Sequence, residues 1–379
     1  MAHQLDGADA LLMVGASDRN ADLFYATRFS APDPFVFLWT AGEKIILANS
    51  LEIDRARDQA RVDRVLPYAQ YEKRAKHSCK QLPTARDVLV ELLRDLGLQK
   101  LQVAAEFPLG TADFLRREGL ELTVAEDPLF PQRRIKDCDE IAAVRRAMQA
   151  TEAGMETAIE SIRAADVRDN ALFLDGEVLT SERLRRTVHR TLMDCGSIGQ
   201  GTIIAGGDQG CDPHQVGFGT LRANETVVID IFPRDETSGY FGDLTRTVCK
   251  GAASEEMLRL YQTVLEAQQL GLSQIRAGAA GHAIHKSIQQ LFVDAGYETG
   301  EKDGFMQGYF HGTGHGLGLE IHEGPSIGKR KDTLESGHIV TMEPGLYYRG
   351  LGGVRIEDTV VVRDDGYENL TTLPKVLEV

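Results

Sequence analysis

His311-Gly-Thr-Gly-His315-Gly-Leu-Gly-Leu-Glu-Ile-His322-Glu323 is the stretch on which the reading of this chain turns. Within twelve residues it gathers three of the chain's ten histidines and separates them with four glycines. Imidazole is the commonest metal ligand among side chains and the usual proton carrier near pH 7. Glycine lets backbone and a small substrate or ion approach closely, at an entropic cost that a purely structural segment has no reason to bear. A Gly-rich run can also be a plain turn, and a lone histidine is usually a surface or satisfied core residue. Carboxylates elsewhere in the chain weigh against that bland alternative.

Val227-Val-Ile-Asp230 is a β-branched strand ending in an acid, and thirteen residues later Asp243 sits in Gly239-Tyr-Phe-Gly-Asp243-Leu-Thr-Arg-Thr247. Glu343 follows Ile339-Val-Thr-Met and precedes Pro344-Gly345, while Glu357 lies in Gly353-Val-Arg-Ile-Glu357-Asp358. Taken singly, each acid could be salt-bridged or exposed. Four of them in apolar strand sequence, beside a glycine-flanked histidine, are harder to place that way, because an unpaired buried charge is costly. If they converge they repel one another, and Arg246 and Arg355 cannot neutralise four. Two divalent ions would. One imidazole with four carboxylates is an oxygen-rich set that suits Mn2+, Co2+ or Zn2+ better than copper or iron–sulfur chemistry.

Outward from these motifs, 379 residues predict two domains. A net charge of −15 argues against nucleic acid or an anionic membrane as partner, because both want a basic face. No apolar run approaches the ~20 residues of a membrane helix. Met1-Ala-His-Gln-Leu-Asp6 has no basic, apolar leader pattern, and the five cysteines are scattered without a Cys-x-x-Cys, so a cytoplasmic protein with reduced thiols is expected. Residues 1–130 alternate strand and helix signals and predict an α/β domain: strands at Phe35–Trp39 and Lys44–Ala48, a helix capped by Thr84 and closed at Gly97, a strand at Leu101–Ala105, a helix from Thr111 to Gly119, and a strand at Leu120–Ala125. That domain holds no chemically suggestive cluster; His77 and Cys79 read as surface residues. Pro128, Pro131 and Arg133-Arg-Ile-Lys136 mark a boundary, after which a second domain spans 137–379. Ile141, Val144, Met148, Met155, Ile159 and Ile162 form one helical stripe there, and further helices are predicted at Ser181–Met193, Glu255–Ile275 and Ala279–Asp294. Leu192-Met-Asp-Cys-Gly196 rhymes with Phe292-Val-Asp-Ala-Gly296, each after two helices and before β-rich sequence. A duplicated helix–helix–sheet half, with a site where two sheets meet, is the simplest reading.

Asp230, Asp243, His315, Glu343 and Glu357 resemble, in order, type and flanking residues, the five metal ligands of the pita-bread metallopeptidases. That family includes prolidase, aminopeptidase P and methionine aminopeptidase. The resemblance covers roughly residues 133–375, and the α/β N-terminal domain is what the prolidase/aminopeptidase P branch adds and methionine aminopeptidase lacks. It implies an α+β catalytic domain with duplicated halves. Gly239-Tyr240, His311-Gly-x-Gly-His315, His322-Glu323, Glu343-Pro-Gly and Arg355-x-Glu357 are each recognisable, whereas Cys211-Asp-Pro-His214 matches more loosely. The family spaces its aspartates by eleven residues and this chain by thirteen. On opposed strands of a hairpin, two extra turn residues keep both side chains on one face, while a single insertion would flip one of them. Phe232 stands where the family tends to place glycine.

The resemblance implies that Asp230 chelates one ion, His315 and Glu343 the other, and that Asp243 and Glu357 bridge them. It makes Glu343 the proton shuttle, His322 and His214 stabilisers of the oxyanion or carbonyl, and His311, Arg355 and Tyr240 the pocket for proline and a carboxylate. Arg246 and Asp358 would support the ligands from behind. The implied activity is hydrolysis of the Xaa-Pro bond, in dipeptides by analogy with the short N-terminal domain of prolidases; the alternative is an Xaa-Pro aminopeptidase acting on longer peptides. A metal-free hydrolase and a non-catalytic binding protein of the same fold are disfavoured by the five intact ligands. Small proline peptides as substrates, two divalent ions (Mn2+ foremost) and a homodimer complete the expectation.

Overall fold

A computed structural model of the chain describes residues 5–78 and 82–379. Cys79 and residues 1–4, on which two of the expectations bear, lie outside the described residues. The chain divides into two compact units, Met1–Pro131 and Gln132–Val379.

The first unit is built on a six-stranded sheet in the order Arg64–Pro67, Lys44–Ala48, Phe35–Thr40, Ala10–Gly15, Lys100–Val103, Glu121–Val124. Successive side chains of a strand point to opposite faces, and here both faces are apolar. Ala10, Leu12, Leu38 and Leu47 enter one core cluster, and Leu11, Met13, Phe37 and Ile46 the other. Helices cover both, with Leu89 and Leu92 on one side and Leu23 and Ala26 on the other. That is why these strands read as unbroken apolar runs. Thr84 caps the helix Ala85–Asp95 in a capping box with Asp87, and Gly97 takes the left-handed conformation (φ +70°) after it. The helix expected from Thr111 begins earlier, at Leu109, because Pro108 presets a φ of −58° at its N-cap.

The second unit opens with helix α1 (Cys138–Arg163), capped by Asp137 and burying the predicted stripe from Ile141 to Ile162. Helix α2 (Ser181–Asp194) follows, then a three-stranded antiparallel sheet of β1 (Ile203–Gly206), β2 (Thr226–Ile231) and β3 (Leu244–Cys249). Helices α3 (Glu255–Ser273) and α4 (Gly281–Asp294) begin the second half. After a short hairpin of Gly300–Lys302 with Phe305–Gln307, its strands are β4 (Gly314–Gly316), β5 (Glu323–Ile327), β6 (Ile339–Met342), β7 (Gly345–Tyr348), β8 (Gly352–Arg355), β9 (Asp358–Arg363) and β10 (Gly366–Asn369). They form a five-stranded sheet, β5-β4-β6-β9-β10, and the hairpin β7-β8. The rhyming pentapeptides fall at equivalent places. Each ends the second helix of its half, and Gly196 (φ +71°) and Gly296 (φ +85°) terminate it in the left-handed conformation. No helix among the described residues is long and apolar enough to cross a membrane.

Candidate metal centre

Strand register brings the two aspartates together. Asp230 pairs with Thr245 and Ile231 with Leu244, so Asp243 lies just beyond the ladder, displaced from Asp230 by an even number of positions and on the same face. The lengthened turn is accommodated outside that face. Arg234–Asp235 pairs with Ser197–Ile198, and Asp235 Oδ1 accepts from Ser238 N at 2.6 Å and Ser238 Oγ at 2.5 Å. Phe232 packs against Gly201, where a Cβ would stand 3.0 Å from the ring.

His315 sits in β4, between β5 and β6. The glycines around it permit that position. A Cβ on Gly314 would come within 2.0 Å of the Thr341 carbonyl oxygen, and one on Gly316 within 2.2 Å of the Gly324 carbonyl oxygen. Glu343 follows β6 with its N–H donating to Thr313 O at 2.8 Å. Glu357 lies between β8 and β9, its N–H donating to Thr245 O at 3.1 Å. Five residues from both halves thereby converge, and ligand atoms of Asp243, His315 and Glu357 lie within 4.8 Å of one another.

The polar contacts at this centre leave carboxylate oxygens without partners among the described residues. His315 Nδ1 bonds the Gly316 carbonyl at 3.0 Å and so carries the proton, leaving the Nε2 lone pair directed at Glu343 Oε1 (3.3 Å) and Asp243 Oδ2 (3.6 Å). Burial lowers the His315 pKa, so the neutral ring forms no ion pair with either carboxyl. Asp230 Oδ1 and Glu357 Oε1 are buried without a hydrogen-bond partner among the described residues. Arg355 Nη2 binds Asp230 Oδ2 at 2.7 Å, and Arg246 Nη2 binds Asp358 Oδ1 at 3.0 Å. Asp243, Glu343 and Glu357 have no salt bridge to lysine or arginine among the described residues. Burial, then the charges of Glu357, Asp230 and Glu343, raises the Asp243 pKa well above the carboxylate range. Glu357 is raised for the same reasons, burial first and then Glu343 and Asp230. Glu343 is pushed up to about 7, chiefly by burial, with Arg355 pulling the other way. The donor set, its orphaned oxygens and its repulsion fit a site for divalent cations.

Around the ligand-like groups, His322 stands edge-on to His315 with ring centroids 4.4 Å apart. Its pKa is lowered by burial and by His315. The charge of His214, which is exposed, acts on both His311 and His322, which places it on the same side of the centre. His311 Nδ1 donates to Gly312 O (2.7 Å), its Nε2 accepts from Tyr347 Oη (2.9 Å), and burial with the nearby Arg355 charge depresses its pKa to about 3.

The three residues expected to line the pocket each have partners within the chain. Arg355 is 3% exposed, with Nη2 on Asp230, Nη1 on Tyr347 Oη (3.0 Å) and Nε on Thr245 Oγ1 (3.3 Å), so three of its five N–H donors are engaged within the chain and its charge is paired with Asp230. His311 is neutral and supplies no positive charge. Tyr240 is buried and its hydroxyl donates to Glu140 Oε1 at 2.6 Å, seating α1 instead of facing a ligand. Residues the sequence reading missed include Thr245, which donates to Glu357 Oε2 at 2.8 Å, and Tyr347, which links His311 to Arg355. Strand parity could have found Thr245, since it stands opposite Asp230; nothing local marks Tyr347. Arg246 does reach the centre from behind, donating to the Glu357 carbonyl and to Asp358.

Residues 142–364 match the family described as metallopeptidase family M24. The chain is 31% identical over 249 residues to an Xaa-Pro dipeptidase of Lactobacillus delbrueckii subsp. lactis, an alignment spanning 65% of this chain and 62% of that relative. Among solved structures, an Xaa-Pro dipeptidase from Bacillus anthracis is 26% identical with a TM-score of 0.82, covering 98% of this chain and 96% of that one. An X-Pro aminopeptidase from Thermotoga maritima is 25% identical with a TM-score of 0.81, covering 98% of both chains.

Proposed function

The chain belongs to metallopeptidase family M24, and from that footing we propose that it hydrolyses the Xaa-Pro bond of dipeptides. The observation that carries the proposal is the neutral His315 Nε2 held between Asp243 and Glu343, with two orphaned carboxylate oxygens beside it. Asp230, Asp243, His315, Glu343 and Glu357 would hold two divalent ions, with manganese favoured by the excess of oxygen donors. Such ions supply Lewis acidity, polarising a carbonyl and acidifying water near neutral pH.

The chain's own groups do the rest. Glu343 takes the proton of the attacking water and returns it to the proline nitrogen as the C–N bond breaks. His322, neutral, donates its ring N–H to the carbonyl oxygen as negative charge develops there, and His214 assists from the exposed side. His311 and Phe310, both partly exposed, offer ring surface for the pyrrolidine, backed by the buried Tyr347 ring at centroid distances of 5.5 and 5.4 Å. Arg355 holds Asp230 and Tyr347 in place.

Because Arg355 and His311 do not offer a free positive charge, a second reading stays open: an Xaa-Pro aminopeptidase, whose substrates carry no carboxylate on the proline. The likeness to the Thermotoga enzyme agrees with it. The deciding experiment compares kcat/KM for Xaa-Pro dipeptides and Xaa-Pro-Yaa tripeptides on protein stripped of metal and refilled with one ion at a time. Much faster dipeptide cleavage supports the first reading; equal or faster tripeptide cleavage replaces it with the second. A cytoplasmic homodimer belongs to the same proposal, supported by the free thiols Cys138, Cys195, Cys211 and Cys249 for the compartment and by the family resemblance alone for the dimer.

A further inference from the structure

Arg133-Arg-Ile-Lys136, legible in the sequence only as a boundary, packs against the loop that carries His322. Lys136 Nζ lies 2.8 Å from Glu323 Oε1, and Arg133 Nη2 lies 2.7 Å from Glu323 Oε2. The Lys136 and Glu323 side chains are 1% and 8% exposed. Arg133 Nη2 also meets Glu320 Oε2 at 2.8 Å, but Glu320 is 56% exposed. A buried ion cluster of this kind is seldom more stable than apolar residues of similar volume, so packing alone gives no reason for it.

The backbone shows what the cluster holds. Glu323 stands opposite Gly316 at an irregularity in the β4–β5 ladder, where the register shifts between His315 and Gly316. The intervening residues form a loop closed at both ends, with His322 at its last position beside the ring of His315. Gly318, inside the loop, leaves room for the carboxylate: a Cβ there would lie 1.8 Å from Glu323 Oε1. The Gly318 carbonyl accepts from Phe241 N at 2.9 Å, two residues before Asp243. Lys136 is itself fixed by its N–H, which donates to Gly337 O at 2.9 Å ahead of β6.

We propose that Lys136 and Arg133 are positioning residues for His322: their ion pairs with Glu323 set the loop 317–323 and thereby the placement of the His322 imidazole over the reacting carbonyl. The activity arm of the test rests on the Xaa-Pro reading; the spectroscopic arm does not. Glu323→Gln keeps the length of the side chain and removes its charge. It is expected to lower kcat by about 10–100-fold, the usual range for loss of a supporting partner, with KM and bound metal unchanged. Glu320→Gln, which removes only the exposed arm, is expected to change kcat by less than about twofold. In a His322→Ala background, Glu323→Gln should cause no further loss. If Glu323→Gln does not fold, Lys136→Met, which leaves the Arg133 pair in place, should shift the same quantities in the same direction. The second arm records the ring signals of His322 by NMR in metal-free protein, where no turnover is needed; they should move in Glu323→Gln and stay in Glu320→Gln. Unmoved ring signals, losses that simply add to those of His322→Ala, or loss of metal in place of kcat would overturn the proposal. If the unaltered protein cleaves no Xaa-Pro peptide, the functional reading fails while the NMR arm still decides this one.

Discussion

The six-stranded sheet of the first unit and the strands around the metal centre are made of the same β-branched and apolar residues, yet they bury different things. In the first unit the strand cores are hydrocarbon on both faces apart from Gln102, and among the described residues the other buried polar groups are Ser17, Thr27 and Glu52. Ser17 and Thr27 are satisfied by the Phe29 and Leu23 carbonyls. In the second unit Asp243, Arg246, Arg355, Glu357 and Asp358 are each 4% exposed or less. Two of those acids, with Glu343, have no salt bridge to lysine or arginine among the described residues. Burial of that sort works against the fold, so the contrast separates strands selected for packing from strands selected to hold charge for a ligand.

Four measurements would sharpen or break that contrast. The largest effect is expected from His315→Ala, which removes the lone pair between Asp243 and Glu343: it should lose bound metal and, with it, activity by about 10³-fold or more. Elemental analysis beside steady-state kinetics reads this, and retention of both ions would remove His315 from the ligand set. His322→Ala should differ in kind. It is expected to keep both ions while kcat falls by about 10²–10³-fold, the usual result of deleting one oxyanion donor; loss of metal would make His322 a ligand.

The third measurement is pH dependence in the metal-stripped protein. Glu343 has a folded pKa of about 7, raised chiefly by burial, against an ordinary 4.5. Between those values the folded state holds a proton that the unfolded chain has released. The stabilising protonation is therefore fully present below about 4.5 and lost as pH rises through about 7, a change of ~3 kcal/mol. Asp243 and Glu357, raised by burial and neighbouring carboxylates, act in the same direction. In the first unit Asp9 is lowered by backbone N–H donors at Lys100 and Gln99, which gives the opposite sign: stability present above its ordinary pKa and lost only as pH falls below it. Hydrogen exchange, corrected for intrinsic rates, should show amides of β2, β3 and β6 losing protection from pH 5 to 8 while those of the first unit's sheet do not. Restored metal should abolish the loss. Equal behaviour of the two units would mean that the buried acids are not destabilised.

The smallest effect is expected from Tyr240→Phe. Removing the bond to Glu140 should cost about 1–2 kcal/mol in denaturant unfolding, and kcat/KM should stay within about twofold because the hydroxyl faces α1. A large rise in KM would return Tyr240 to the substrate pocket.

Local chemistry was legible wherever neighbours in sequence decide the outcome. Thr84 and Gly97, read as the two ends of one helix, are where the structure places its N-cap and its left-handed terminus, because caps are satisfied within one turn. The five ligand-type residues stood out because acids do not belong in apolar strands and because the glycines flanking His315 serve a close approach of strands. Even the parity of Asp230 and Asp243 followed from the length of the turn. What the sequence could not carry was how charges pair once distant segments meet. Arg355 looked like a grip for substrate until the fold placed it on Asp230, 125 positions away in the chain. Tyr240 looked like a pocket wall until α1 brought Glu140 to its hydroxyl. Lys136 looked like linker until Glu323 arrived across 187 positions. A long charged or phenolic side chain takes whichever partner the tertiary structure supplies, and in a low-dielectric interior the nearest partner decides its protonation, its availability and its role.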